Sequence, residues 1–342
     1  MKFEPKFTLT PKLLSTINQI ERLYGQLEGL RLPKKLELNL HERNLVQSAY
    51  VSNSIEGNPL SLMEVTNLLL GDRVPVNRDE KEVYNYHEIL SSLDVCLDKP
   101  VDLKLINDFH SKLLYGVQDE IAGEIRNDKV VIGKYTKEKT EASIQVKHEP
   151  PFHTKDEIEQ ALVSLNEWLV AALKNQPATL VAGIYHHEFV YIHPYADGNG
   201  RTCRLIAALI FLKAGYKINR HFVLDDYYDI DRIQYSDMLH TADSGDKTEW
   251  LEYFTDGVNY SLQSALEKAK RSLQTLNIEE RLTGRESEVL GIVQERGEIT
   301  SHIVAEILDV TRQQAHSLLS ALVEKGFVDK KGSTKSSYYV LK

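Results

Sequence analysis

Apolar residues recur three and four positions apart along most of this chain, which is the spacing of one face of an α-helix. The pattern predicts a mainly α fold. The predicted helices cover residues 10–32, 39–56, 60–70, 79–97, 102–115, 154–174, 178–191, 201–214, 229–242 and 247–272. At 342 residues, the chain has room for a main core and one or two smaller modules.

One segment between these helices has a different pattern. β-Branched residues cluster at 130–133 and again at 143–146, just before Pro150 and Pro151. Two such runs with polar residues between them predict a β-hairpin with a long polar tip.

The last sixty residues form a separate pattern. Predicted helices at 285–294, 300–308 and 311–325 precede strand-like segments at 327–330 and 337–340. Three helices followed by a hairpin are typical of a winged helix. Thr311 supplies an N-cap after a short turn, as a helix-turn-helix requires. We therefore expect an amino-terminal helical region over 1–100, a core over 101–275 and a winged helix over 283–342.

Charge is distributed unevenly between these regions. The chain as a whole has a net charge of −9, whereas the segment from Val310 to Lys342 has six Lys or Arg against two acids. A local basic excess suggests contact with phosphate, so DNA is a candidate partner of 283–342.

Composition places the protein among ordinary globular proteins, with 42% hydrophobic and 27% charged residues. The two cysteines, Cys96 and Cys203, are far apart, which argues against a disulfide framework and a cysteine-based zinc site. The amino terminus lacks the apolar run of a signal peptide, and no stretch is long enough for a membrane span. We expect a cytoplasmic protein that does not enter membranes.

The strongest chemical signal is the loop from His193 to Arg201, of sequence HPYADGNGR, together with Arg204. A Gly-Asn-Gly turn just before a helix presents free backbone N–H groups and the positive end of the helix dipole to an anion. Gly198 and Gly200 allow positive φ and close approach of the backbone to a ligand. The loop therefore predicts a phosphate site.

Side chains within the loop suggest how that site works. Arg201 and Arg204 are three residues apart on one helix face and can bind several phosphate oxygens. Asp197 is the nearest carboxylate and is the candidate Mg²⁺ ligand. His193 can accept a proton from an attacking hydroxyl near neutral pH.

The loop resembles the signature of the Fic (Fido) family, HxFx(D/E)GNGRxxR, with Tyr195 in place of the usual phenylalanine. The likeness covers roughly residues 40–260 and implies a helical core that transfers AMP from ATP to a Ser, Thr or Tyr hydroxyl of a target protein. It implies His193 as the base and Mg²⁺ as the cofactor on Asp197. The implied ATP contacts are Asp197, Gly198, Asn199, Gly200, Arg201, Thr202, Arg204 and Tyr235.

Two further segments resemble parts of the same family. Ile132, Gly133, Lys134 and Tyr135 are similar to a hairpin flap that aligns the target by strand addition. Ser52 and Glu56 match the inhibitory motif (S/T)xxxE(G/N), within an expected helix at about 44–56. Four residues apart on a helix, the two side chains face the same way. If that helix packs beside the loop, Glu56 can pair with Arg204 and take the place of the γ-phosphate.

Several alternatives stay open at this point. One alternative is that the core is the sensor of a DNA-binding transcription regulator. Another is a Doc-type kinase that transfers the γ-phosphate, although Gly200, Arg201 and Arg204 favour AMP transfer. The same site is also compatible with removal of AMP and with self-modification. The physiological target is not specified by the sequence, and a homodimer is a further expectation.

Overall fold

The computed structural model describes residues 2–71, 73–138, 141–218, 222–332 and 337–342, with the backbone alone within 134–145 and 276–281. Helices dominate, which confirms the predicted mainly α class. They are α1 (Pro11–Gly29), α2 (Lys34–Ile55), α3 (Leu62–Leu70), α4 (Arg78–Ser91), α5 (Leu103–Leu114), α6 (Lys155–Ala172), α7 (Ala178–Ile192), α8 (Asn199–Lys213), α9 (Asp226–Ile230), α10 (Arg232–Thr241), α11 (Thr248–Arg281), α12 (Gly284–Arg296), α13 (Ser301–Ile307) and α14 (Arg312–Glu324). The strands are β1 (Ile132–Glu138), β2 (Glu141–His148), β3 (Glu298–Ile299), β4 (Val328–Lys331) and β5 (Tyr338–Leu341).

The chain divides into two compact units, Met1–Glu267 and Lys268–Lys342. The three ranges expected from the sequence, 1–100, 101–275 and 283–342, stay predictions. No helix among the described residues has the length and apolar character needed to cross a membrane.

Helices α7 and α8 are the centre of the first unit. Most residues of both helices are buried, including polar ones. A helix that is enclosed on all sides must pack against neighbours all round, and α7 and α8 pack against each other. The loop between them therefore begins and ends on rigid supports.

The helix predicted over 229–242 is present as α10 but starts later, because Asp231 separates it from α9. Asp231 lies between them in an extended conformation, with φ −144°, and its side chain accepts a hydrogen bond from the backbone N–H of Gln234. This contact is an N-cap, which starts a new helix at Arg232. The remaining helices of the first unit are present with shifted ends.

Strands β1 and β2 form the predicted hairpin. The prediction of a long polar tip is wrong, because the two strands stay paired through most of that polar segment. The antiparallel pairing runs from Ile132 opposite His148 to Glu138 opposite Glu141. Ladder hydrogen bonds are made by backbone groups, so a polar sequence does not prevent them. The register shifts between Ile132 and Gly133, which is the irregularity expected of a β-bulge.

The second unit contains α12, α13 and α14 beside a small antiparallel sheet in the order β3-β5-β4. Strand β3 was not predicted, because two residues are too few to show a pattern. The predicted N-cap at Thr311 is confirmed, since its hydroxyl accepts from the backbone N–H of Gln314. An ion pair between the buried Glu286 and the partly exposed Lys325, 2.6 Å apart, ties α12 to the end of α14.

Candidate active site

The loop between α7 and α8 makes two left-handed turns. His193 caps the end of α7 with φ 50°, and Gly198 precedes α8 with φ 75°. Glycine adopts this conformation at little cost, whereas a residue with a Cβ does not. The positive φ predicted at Gly198 is therefore confirmed. His193 also has a positive φ, although it carries a Cβ.

Asn199 holds the loop in a closed shape. Its Oδ1 accepts from the backbone N–H of Tyr195 at 2.9 Å, and its Nδ2 donates to the carbonyl of Tyr195 at 2.8 Å. Both polar ends of this buried amide are therefore used inside the loop. Asn199, predicted as an ATP contact, supports the loop through its side chain.

Arg126 supports the same loop from outside, and the sequence did not identify this role. Its Nε donates to the carbonyl of His193 at 2.6 Å, and its Nη2 donates to the carbonyl of Ile192 at 3.1 Å. Its backbone N–H donates to the carbonyl of Pro194 at 3.0 Å. Arg126 thus satisfies three carbonyls where α7 ends, which leaves the loop little freedom.

Tyr195 replaces the phenylalanine usual in the signature, and its hydroxyl has the partner that burial demands. The hydroxyl donates to Asn107 Oδ1 at 2.6 Å. Its ring stacks on His110 with centroids 3.6 Å apart. The backbone N–H of Gly123 donates to His110 Nδ1, so Nε2 carries the proton and donates to the carbonyl of Asp197. Burial lowers the pKa of His110 to about 4, which keeps the ring neutral.

His193 has the properties of a general base. Its Nδ1 lies 3.3 Å from the carbonyl of Val190. A carbonyl only accepts, so Nδ1 carries the proton and the lone pair is on Nε2. Burial lowers the pKa of His193 to about 4. The imidazole is therefore neutral, and able to accept a proton, throughout the physiological pH range.

Asp197 lies at the mouth of the loop. Its side chain is 41% exposed, and Oδ1 lies 3.7 Å from Arg201 Nη2. Oδ1 also accepts from the backbone N–H of Gly198 at 2.6 Å. A single partly exposed carboxylate fits the usual magnesium arrangement, in which one or two carboxylates share the ion with phosphate oxygens and water.

Arg201 and Thr202 carry buried polar atoms that make no hydrogen bond among the described residues. Among the described residues, the Nε and Nη1 of Arg201 and the hydroxyl of Thr202 are buried and make no hydrogen bond. The nearest carboxylate to Arg201 Nη1 is Glu82, at 3.5 Å. Buried donors are normally satisfied, so the guanidinium has capacity for an anionic ligand.

The positive φ expected at Gly200 from the sequence is wrong. Gly200 lies inside the first turn of α8, which begins at Asn199, and does not need positive φ. What it provides is space. A Cβ at this position would overlap Glu56 Oε1 and lie 3.0 Å from Arg204 Nη1.

The structure brings Ser52 and Glu56 together with Arg204. Arg204 Nε donates to the Ser52 hydroxyl at 2.7 Å, and Nη2 donates to the Ser52 carbonyl at 2.8 Å. The same Nη2 lies 2.7 Å from Glu56 Oε1. Ser52 lies within α2, and Glu56 caps its end. Arg204 is 1% exposed and the Glu56 side chain is 36% exposed, so the pair lies at the edge of the buried region.

Two residues near this contact were not assigned a role from the sequence. Arg232 donates to the carbonyl of Ser54, and its Nη2 donates to the Ser54 hydroxyl at 2.6 Å. These bonds tie the end of α2 to the start of α10. Asp225 is fully buried near Arg204, and burial raises its pKa to about 7. Arg232 follows an N-cap aspartate, which is a local signal for the helix start but not for the contact with α2.

Tyr235 is buried, and its hydroxyl lies 2.8 Å from His186 Nε2. Its ring stacks on Tyr228 with centroids 4.5 Å apart. These contacts place Tyr235 within an aromatic cluster. The nucleoside contact implied by the family likeness stays a prediction.

The flap residues lie on β1. Ile132 is partly buried and Gly133 is exposed. The backbones of Lys134 and Tyr135 pair with Gln145 and Ile144, while their side chains lie outside the described residues. A two-stranded ribbon has two outer edges, and strand addition would take place at one of them.

Comparisons with known proteins match the segment that contains this loop. Residues 100–211 match the model of the Fic/DOC family. They contain α7, the whole loop and most of α8, so this segment is similar to a Fic domain.

Relatives and solved structures match over longer ranges. Protein adenylyltransferase fic-1 of Caenorhabditis briggsae is 27% identical over 293 residues, covering 81% of this chain and 52% of the relative. Protein adenylyltransferase Fic of Aedes aegypti is 29% identical over 229 residues, covering 62% of this chain and 40% of the relative. The chain thus spans about half the length of the curated relatives it matches, or less.

The fold also matches solved structures. A Fic family protein from Desulfovibrio desulfuricans G20 has a TM-score of 0.64 at 22% identity, covering 99% of this chain and 98% of that one. A fragment of Fic-1 from Caenorhabditis elegans has a TM-score of 0.59 at 23% identity, covering 74% and 71%. These likenesses establish the helical Fic fold.

Proposed function

We propose that this protein transfers AMP from ATP to a hydroxyl side chain of a target protein. The observation that carries the proposal is a neutral His193 in the loop that leads to a buried Arg201, whose Nε and Nη1 make no hydrogen bond among the described residues. A base at one end of a loop and a phosphate-binding group at the other are two elements that nucleotidyl transfer requires. The names of the relatives, protein adenylyltransferase, support the same reaction.

The reaction is an exchange at the α-phosphorus of ATP. The target hydroxyl oxygen attacks this phosphorus while His193 Nε2 takes the hydroxyl proton. The bond from the α-phosphorus to the bridging oxygen breaks, and pyrophosphate leaves. The backbone N–H groups at the start of α8 and the Arg201 guanidinium stabilise the charge on the phosphates. Asp197 is the residue that would hold Mg²⁺, which would neutralise part of that charge.

The resting enzyme is held back by Glu56. Arg204 is bound on one side by Ser52 and on the other by the Glu56 carboxylate. A carboxylate on this guanidinium occupies the charge that a terminal phosphate would otherwise use. ATP then lies in a pose unsuited to attack, and a misplacement of about 1 Å costs about a hundredfold in rate. The same carboxylate is suitably placed to orient water for removal of AMP, so the reverse reaction is part of the proposal.

The test uses purified protein, Mg²⁺ and ATP labelled at the α-phosphate, in a lysate that supplies targets. Glu56→Gly protein is expected to label one or more proteins, itself included, and His193→Ala in the same background is expected to label none. Mass spectrometry then identifies the group on the target. Label transferred only from the γ-phosphate would mean phosphorylation and would refute AMP transfer.

A separate proposal concerns the second unit and its contact with DNA. Its helices and sheet support a winged helix, and a surface groove of about 1130 Å³ on it is lined in part by Arg312, His316 and Lys330. These side chains suit phosphate contacts of DNA. A mobility shift that weakens with salt for the full chain, and weakens further with Arg312→Ala, is the expected result. A sensor core of a transcription regulator is the alternative, and the relatives' names do not favour it.

A further inference from the structure

A cluster of two histidines and one aspartate lies outside the loop site. His148 ends β2, His240 lies in the last turn of α10, and Asp243 follows in a short 3-10 turn. One potential ligand atom from each lies within 4.8 Å of the other two. Asp243 Oδ2 is 2.8 Å from His148 Nδ1 and 3.0 Å from His240 Nδ1. One carboxylate oxygen therefore faces two ring nitrogens.

A neutral His148 ring has one N–H, and that proton does not lie between Nδ1 and Asp243 Oδ2. His148 Nε2 lies 3.0 Å from the carbonyl of Tyr191, and a carbonyl only accepts, so Nε2 must carry the proton. The Nδ1 of a neutral ring then has a lone pair pointing at a carboxylate oxygen. Two acceptors at 2.8 Å repel each other, so either a proton or a metal cation must lie between them.

The surroundings orient the carboxylate towards the two histidines. Asp243 Oδ1 lies 3.0 Å from His187 Nε2. His187 Nδ1 accepts from Lys247 Nζ at 2.6 Å, which fixes the proton of His187 on Nε2. Lys247 is held in turn by Glu188 at 2.9 Å. Oδ1 is therefore occupied, and Oδ2 is left for His148 and His240.

These contacts match the outer partners of metal sites. A histidine that binds a metal normally donates its other N–H to a backbone carbonyl or carboxylate, and a carboxylate ligand is itself hydrogen-bonded. His148 has such a carbonyl at Tyr191, and Asp243 has such a donor at His187.

We propose that His148, His240 and Asp243 bind a divalent transition-metal ion, best matched by Zn²⁺. Two imidazole nitrogens and one carboxylate oxygen are a common zinc ligand set, with a fourth position for water. Ligand atoms around a tetrahedral zinc ion are about 3.3 Å apart, so the observed separations need only a small expansion. Mg²⁺ prefers all-oxygen ligands, which makes this site distinct in chemistry from Asp197.

The ion would fasten the hairpin to the core. His148 is the last residue of β2, whereas His240 and Asp243 belong to α10 and the turn after it. Lys147 already reaches α10 through Asp237, at 3.0 Å. The metal holds the base of the flap beside the final turn of α7, two residues before His193.

Metal content is the first measurement. Untagged full-length protein, purified without chelator, is expected to contain about one zinc per chain by mass spectrometry of the element. After chelation, Zn²⁺ is titrated against a chromophoric competitor. His240→Ala and Asp243→Asn are expected to bind about 100-fold or more weakly, and His187→Ala about 10- to 100-fold more weakly. His302→Ala, an exposed histidine of the second unit, is the matched control and is expected to bind as the wild type does.

Two further readouts separate metal loss from loss of fold. Zn²⁺ is expected to raise the melting temperature of the chelated wild type and of His302→Ala, but not of His240→Ala, whose circular dichroism should match the wild type. Co²⁺ in the site is expected to give visible bands without thiolate charge transfer, since both cysteines are buried and free. Absence of zinc and of any Zn²⁺ effect on wild-type melting would overturn the proposal. Equal Zn²⁺ affinity of wild type and His240→Ala would overturn it as well.

Discussion

Removal of the Glu56 carboxylate is the most direct perturbation of the proposed brake. Glu56→Gly deletes the oxygen that lies 2.7 Å from Arg204 Nη2, while Arg204 keeps both of its contacts with Ser52. The guanidinium therefore stays in place and gains a free donor. We expect the rate of AMP transfer to rise.

The size of the rise follows from the contact. A hydrogen bond to a charged group contributes about 1.5–3 kcal/mol. The Glu56 side chain is 36% exposed, so solvent screening places the value in the lower part of that range, at about 1.5–2 kcal/mol. Each 1.36 kcal/mol of barrier is a factor of ten. The expected rise is about 10- to 30-fold.

The assay measures initial rates of label incorporation from α-labelled ATP at saturating Mg²⁺. Glu56→Gln, which keeps the shape and loses the charge, is expected to give a smaller rise than Glu56→Gly. Glu42→Gln is the control, because Glu42 is exposed on the same helix, and its rate should equal that of the wild type.

One result would refute the brake without touching the proposed reaction. If Glu56→Gly and wild type label the same target at rates within about twofold, and His193→Ala abolishes both, the enzyme transfers AMP but Glu56 does not restrain it. If no variant incorporates label, the proposed function itself fails.

Three other predictions concern the loop and its supports. Arg126→Ala leaves the carbonyls of Ile192 and His193 without a donor, which costs about 1–3 kcal/mol, and a fall in kcat of at least tenfold is expected; an unchanged kcat would contradict the support role. Since burial lowers the pKa of His193 from 6.5 to about 4, the base stays unprotonated as pH falls through 6.5, and initial rates should not drop there; a midpoint near 6.5 would contradict this. Tyr195→Phe leaves Asn107 Oδ1 without its donor and should lower the free energy of unfolding by about 1 kcal/mol in urea titration, an effect that Asn107→Leu in the same chain should reduce.

The loop could be predicted because its chemistry is local. His193, Asp197, Arg201 and Arg204 lie within twelve consecutive residues, and the start of α8 places them together whatever the rest of the chain does. The contact of Ser52 and Glu56 with Arg204 joins residues about 150 positions apart. It was predicted only through the resemblance to a known family.

The supports of the loop could not be predicted, because their contacts are remote in sequence. Arg126 and His110 reach the loop across 67 and 87 positions, and no spacing rule connects them to it. Asp231 is different, since an aspartate followed by a helical pattern is a local N-cap signal. That signal identifies the break between α9 and α10, and the apolar periodicity alone did not reveal it.

His193 is the one loop residue whose chemistry and backbone make opposite demands. The left-handed conformation at φ 50° costs a residue with a Cβ about 1–2 kcal/mol, and glycine would remove that cost. Glycine has no imidazole, so the position that the fold would assign to the smallest residue must carry a large one. Substitutions chosen for stability alone would therefore replace His193 with glycine and remove the base. The protein keeps a less stable turn because only that turn carries a proton acceptor.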